Sequence, residues 1–229
     1  MKRILSLVSC SGLVLALSLF TACEYSIIPE IFINDIITVA DGKEKVVTAK
    51  AKIRIAMPSD KECAEKQEKL LGILGTFFNN VKNPKCGTEQ FNNFFEVDVD
   101  LPMMAVSKAP AEIPGKGMTA IGVSEQSDGK NKFVVISLIL DRNNFKSVLE
   151  NEFFVSLGPK DLTLALTVNN DLSGEATILV YNAFVSGKPV PMPTYQTLAR
   201  RDKKNIVLAD VMSQYIQETG FAEVLLLRR

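Results

Sequence analysis

Two stretches of this chain carry one alternating pattern in opposite charges. In VVTAKAKIRIAM, residues 46–57, Ala49, Ala51, Ile53 and Ile55 alternate with Lys50, Lys52 and Arg54. In FNNFFEVDVDL, residues 91–101, Phe95, Val97, Val99 and Leu101 alternate with Glu96, Asp98 and Asp100. A period of two sends neighbouring side chains to opposite faces, so each stretch reads as a strand with one buried and one wet face. One antiparallel alignment matches the charges throughout: Lys50 with Asp100, Lys52 with Asp98 and Arg54 with Glu96. Each such pair contributes about 0.2–1 kcal/mol, and together they fix register. Three carboxylates in a row also invite a calcium reading. Calcium loops gather their oxygens on a tight glycine turn, however, which a straight strand lacks, so the ladder reads as a solvated sheet face.

The amino terminus sets the compartment. Met1-Lys2-Arg3 precedes an uncharged run from Ile4 to Phe20, with small residues at Thr21 and Ala22. This is the outline of a secretory signal peptide over residues 1–22. The run is short for a membrane span and is interrupted by Ser6, Ser9, Ser11, Gly12 and Ser18. Leu19-Phe20-Thr21-Ala22-Cys23 resembles the lipobox of bacterial lipoprotein precursors, with Phe20 where that family usually has leucine. The resemblance implies that the Cys23 thiol receives a diacylglyceryl group and that the preceding peptide is removed. The mature chain, 23–229, would then be attached to a lipid bilayer through acylated Cys23. Glu24 in place of aspartate favours outer-membrane delivery by the same resemblance. Past Cys23 the chain resembles uncharacterised small bacterial lipoproteins.

The inventory removes several chemistries. The 229 residues hold 26 basic and 26 acidic side chains, no histidine and no tryptophan. A balanced charge gives no reason to expect nucleic acid as a partner. Without histidine the commonest general base and metal ligand is missing, and no metal or cofactor is expected. Of the four cysteines, Cys10 leaves with the signal and Cys23 is acylated. Cys63 and Cys86 remain, and in an oxidising compartment they are expected to form a disulfide.

That disulfide constrains the path between the two ladders. Pro58-Ser59-Asp60 ends the first strand and caps a helix from Lys61 to about Asn79, with Leu70, Leu74, Phe77 and Phe78 inward. A helix continuous from Cys63 to Val81 would be about 27 Å long, and five residues return at most about 17 Å. The helix must therefore stop by about Asn79, or bend at Gly72 or Gly75, with the chain doubling back.

Elsewhere, residues 25–39 read as extended, with strands over 118–125, 132–140, 161–169, 174–186 and 221–227. Residues 169–174 form a hairpin turn. Helices are expected from Asp141 through Phe153 and from about Asn205 to Thr219, the latter with Val207, Leu208, Val211, Met212 and Tyr215 inward. SKAPAEIPGKG, 107–117, SGKPVPMPT, 186–194, and RRDKKN, 200–205, read as connectors. The expected fold is α+β: a mostly antiparallel sheet with about three helices on one face. Its sub-units, 25–106 and 118–229, have the pattern of two ββαβ units.

The function expected from this pattern is non-enzymatic: an outer-membrane lipoprotein that binds or modulates another envelope protein. A carrier holding lipid or a small molecule against the apolar strands 132–140 and 161–169 is the alternative. A histidine-independent hydrolase would need carboxylates such as Glu150 and Glu152, or Glu96 to Asp100. No GxSxG or SxxK frame supplies a nucleophile for it.

Overall fold

The structure, a computed structural model, describes residues 24–89, 92–106, 113, 119–127, 129–140, 145–153 and 161–229. The signal segment 1–22, Cys23, most of the loop 107–117 and the expected cap Asp141 lie outside the described residues. The chain order is β1 (Tyr25–Phe32), α1 (Ile33–Ala40), β2 (Val46–Met57), α2 (Asp60–Phe77), β3 (Asn79–Glu89), β4 (Asn92–Ala105), β5 (Thr119–Ser127) and β6 (Lys132–Leu140). There follow α3 (Phe145–Phe153), β7 (Leu162–Asn169), β8 (Ala176–Val180), β9 (Ala183–Val185), β10 (Lys188–Val190), β11 (Thr194–Leu198), β12 (Lys203–Leu208), α4 (Asp210–Thr219) and β13 (Phe221–Arg228).

These strands form one 13-stranded mixed sheet, ordered β10-β9-β12-β7-β1-β2-β4-β5-β6-β13-β8-β11, with β3 branching from β4. The expected α+β layer, with helices on one face of two ββαβ units, is not the fold. Two parallel pairings overturn it. β1 lies beside β7 and β4 beside β5, so amino- and carboxy-terminal halves share one sheet. A sheet this long curls, and this one rolls into a nearly closed barrel. The two terminal strands, β10 and β11, are joined by Pro191-Met192-Pro193 alone, so Val190 and Thr194 lie within about 14 Å. Pro189, Pro191 and Pro193 are spaced by two and remove backbone donors from one edge, which leaves this seam without a ladder.

Strand direction follows from the pairings. β1, β4, β5, β7, β9, β11 and β13 run one way, and β2, β3, β6, β8, β10 and β12 the other. The barrel thus has a near end, where β1 begins, and a far end, where it stops. α1 follows β1 across the far end, burying Ile33, Ile36 and Val39 against β1, β2, β4, β5 and β6. No side chain of its own caps it; Asp171 accepts from Asn34 N at 2.9 Å instead. α3 and α4 bridge strand termini at the near end, and α4 packs on β6, β7 and β13. α2 runs along the side against β2, β3 and β4, and Ser59 Oγ accepts from Glu62 N at its start. Helices therefore plug and flank the barrel instead of layering one face.

Several local expectations change with this topology. Residues 33–40 are helical, because Ile33, Ile36 and Val39 recur at helical spacing inside a run too apolar to show its period. Residues 203–208 are strand β12 and not helix, since Ile206 and Leu208 alternate inward. β7 and β8 flank the 169–174 turn without pairing; β8 lies between β13 and β11. Val211 and Tyr215, expected inward, are 64 % and 52 % exposed, while Ser213 and Ile216 are buried.

Candidate functional site

The acidic ladder lies between two basic ones. β2 and β4 pair in the register the charges call for: Lys50 opposite Asp100, Lys52 opposite Asp98 and Arg54 opposite Glu96. On the other side of β4 the strand β3, which the sequence pattern did not disclose, advances three residues for every two. Asn79, Lys82 and Lys85 face Asp100, Asp98 and Glu96. The extra residue in each step is taken up by Asn80 and Asn83, both at φ 53°, a left-handed conformation asparagine tolerates. Their amides then donate to Asp100 at 3.0 Å and to Asp98 at 2.8 Å. The tandem Asn-x-Lys in Asn80-Val81-Lys82-Asn83-Pro84-Lys85 is the one sequence trace of this device.

Glu96 is the centre of the network and only 2 % exposed. Lys52 Nζ and Lys85 Nζ each lie 2.9 Å from its carboxylate, and Arg54 adds Nε at 3.0 Å and Nη2 at 2.7 Å. Burial pushes the Glu96 carboxyl up, but the hydrogen bonds from Lys52, Lys85 and Arg54 outweigh it and hold the group down at about 2. Arg54 also pairs with Glu89 at 2.6 Å and lies over the Phe94 ring, 4.1 Å from its centroid. Gly87 makes room for that ring: a Cβ there would come within 2.8 Å of Phe94 Cζ. Lys50 Nζ holds Asp100 at 2.7 Å. Glu96 and Asp100, both held down by these donors, are in the wrong environment for a general acid that must hold its proton at neutral pH.

The remaining carboxylates considered from the sequence sit apart from this ladder. Glu150 lies on α3 at the near end; the side chain of Glu152 is outside the described residues. Glu150 and Asp161 act on Tyr25, whose hydroxyl pKa is raised by burial first and by those two negative charges second. Tyr25 therefore stays protonated in its place as the first residue of β1.

Cys63 on α2 and Cys86 on β3 are disulfide-bonded with Cα atoms 5.9 Å apart, and α2 ends at Phe77, in time for the chain to turn back. The bond closes a loop across a sequence separation of 23, worth about 3 kcal/mol in the chain-entropy model. Reduction, or joint Cys63→Ser and Cys86→Ser substitution, is expected to lower the denaturant midpoint accordingly. Equal midpoints with and without reductant would remove the bond from the stability account. At the opposite end of α2 from this bond, a groove of about 350 Å³ separates the end of α2 from the start of β3, lined by Leu71, Gly75, Phe78, Asn79, Asn80 and Val81.

Sequence reasoning missed the exposed apolar surface. Cross-strand register places exposed Phe184 between Pro189 and the half-buried Val207 on the outer barrel wall. Across the seam, exposed Tyr195 stands beside the half-buried Leu179 and Leu226. Only the pairing of distant strands reveals these groups, because each strand contributes one residue to them.

A family model described as a domain of unknown function (DUF7424) matches residues 25–229. No curated protein and no solved structure matches the chain.

Proposed function

The chain belongs to the DUF7424 family, and we propose that it is a non-enzymatic lipoprotein of the bacterial outer membrane that binds or modulates another envelope protein. The observation that carries this reading is the junction at residues 19–25. A lipobox-like Leu19-Phe20-Thr21-Ala22-Cys23 is followed, after Glu24 alone, by Tyr25, already buried in β1. The folded barrel starts within two residues of the cysteine, so acylation of Cys23 would hold it directly against a bilayer, without a flexible stalk. Two or three acyl chains suffice for lasting attachment, at about 0.8 kcal/mol per buried methylene. A disulfide-stapled, histidine-free barrel whose ladder carboxylates are already engaged supports a binding role over a catalytic one.

Mass spectrometry of the mature protein is expected to find acyl chains on Cys23 as the first residue, and Cys23→Ser is expected to abolish them. Proximity labelling in intact cells is then expected to mark a reproducible envelope protein with the wild type and to lose it with Cys23→Ser. A mature chain that starts elsewhere, or labelling that never repeats, would reject the proposal.

A further inference from the structure

We infer that the near end of the barrel is a second, non-covalent membrane contact, in which the outer face of α4 and the Pro191–Pro193 link rest in the headgroup region of the bilayer. This rests on the anchoring at Cys23 proposed above and adds the face that the protein turns to the lipid.

Three independent features meet at this end. The first is the distribution of exposed apolar groups. Of the seven large hydrophobic side chains that stand exposed among the described residues, Met192 (71 %), Val211 (64 %), Tyr195 (54 %), Tyr215 (52 %) and Phe184 all lie on the near-end link, on α4, or within two residues of a strand terminus there. Phe32 and Val46 are at the far end.

The second feature is the orientation of α4. It runs from the end of β12 to the start of β13, both near-end termini, and packs on β6, β7 and β13, so it lies across the barrel mouth. Ser213 and Ile216 face the barrel; Val211 and Tyr215, one turn apart, point away from it. A tyrosine with an apolar body and a wet hydroxyl suits the membrane–water boundary.

The third feature is where the preceding chain attaches. Cys23 is two residues from Tyr25, the near-end start of β1. Val190 pairs with Ala183, Ala183 with Leu208, and β12 pairs with β7 beside β1, so Met192 lies at the level of Tyr25, four strands away. At about 4.8 Å per strand this is about 19 Å, within the footprint that a lipid-bound Cys23 would press to the surface.

The far end carries Lys43, Lys203, Arg200 and Arg201, together with the Arg229 pairs to Asp41 at 2.7 Å and to Glu125 at 2.9 Å. The near end carries the exposed acids Glu24, Glu89, Asp210 and Glu218 around its apolar groups. A barrel whose exposed apolar groups gather at the tethered mouth has a defined up and down. The contact sets orientation; the acyl chains set residence.

The chain has no tryptophan, so single reporters can be placed without background. Tyr215→Trp, Met192→Trp and Phe32→Trp would be made in the acylated mature protein and reconstituted on phosphatidylcholine vesicles carrying brominated acyl chains. Tryptophan at 215 and 192 is expected to shift blue and to be quenched about threefold more than at 32. Equal quenching at all three positions, or stronger quenching at 32, overturns the inference. So does an acylated, vesicle-bound protein in which no reporter is quenched, and that result leaves the anchor standing. A native protein found without acyl chains whose tryptophan at 215 is still quenched rejects the anchor and keeps the contact. Shielding of position 215 only by a co-purifying protein, and not by lipid, also overturns the inference.

Discussion

Replacing Glu96 by alanine is expected to cost about 2–3 kcal/mol of folding stability, because it removes the buried carboxylate that accepts from Lys52, Lys85 and Arg54, while those half-exposed cations can turn to water. In a domain of this size that is a fall of roughly 7 °C in melting temperature. The same group sets an acid limit. Its folded pKa, about 2, lies below the ordinary 4.5, so its contribution is complete above 4.5 and is lost as pH falls from 4.5 towards 2. Asp100, held down by Lys50 and Asn80 against the upward push of burial, adds in the same direction. Denaturant midpoints measured from pH 6 to pH 2 should show this loss in the wild type and a flatter profile in Glu96→Gln. A wild-type midpoint constant across that window would contradict the network's role.

Asn170→Asp is the second large effect expected, although it changes one atom type. Asn170 follows β7 and is 1 % exposed. Its Nδ2 donates to the carbonyls of Gly174 at 2.9 Å, Leu198 at 2.9 Å and Ala199 at 3.0 Å, while its Oδ1 accepts from Leu172 N at 3.1 Å. Asn170 N donates to Asp202 O and Arg201 N donates to Asn170 O. One side chain thus ties the end of β7 to the turn that joins β11 to β12. A carboxylate cannot donate and would face three carbonyl oxygens in a dry site, a cost of about 3 kcal/mol or more. The aspartate is relieved by protonation, so the deficit should shrink as pH falls from about 6 towards 4, whereas an Asn170→Ala deficit should stay level. Urea melts of both variants at pH 7 and pH 4 separate these cases, and identical pH behaviour would refute the assignment.

What could be read in the sequence was local and periodic. The β2–β4 register followed from the placement of Lys50, Lys52 and Arg54 against Glu96, Asp98 and Asp100, because charge and polarity agree residue by residue. The end of α2 followed from a length argument. The sheet order did not, since nothing in Tyr25–Phe32 or Leu162–Asn169 marks them as parallel neighbours; both are simply apolar on alternate positions. β3 stayed hidden because a strand that spends three residues per two of its partner has no period of two. α4 was misread on its inward face because Val211 and Tyr215 are apolar, and the pattern alone cannot tell a core face from an exposed one. A helix does cover 210–219, but Val207 and Leu208 of the expected stripe belong to β12, and Val211 and Tyr215 face outward. The same ambiguity concealed the near-end surface, whose residues come from α4, β9, β11 and the Pro191–Pro193 link.

The three-for-two step of β3 has a consequence for self-association. β3 is the sheet's only branch and pairs with β4 alone among the described residues, so its outer edge faces no strand. A regular edge of that kind recruits other chains into fibrils. Here the turned-out Asn80 and Asn83, together with Pro84, put hydrogen-bonding groups out of step with any straight newcomer. The asparagines that saturate the acidic ladder inside one molecule therefore also keep one molecule from templating onto the next.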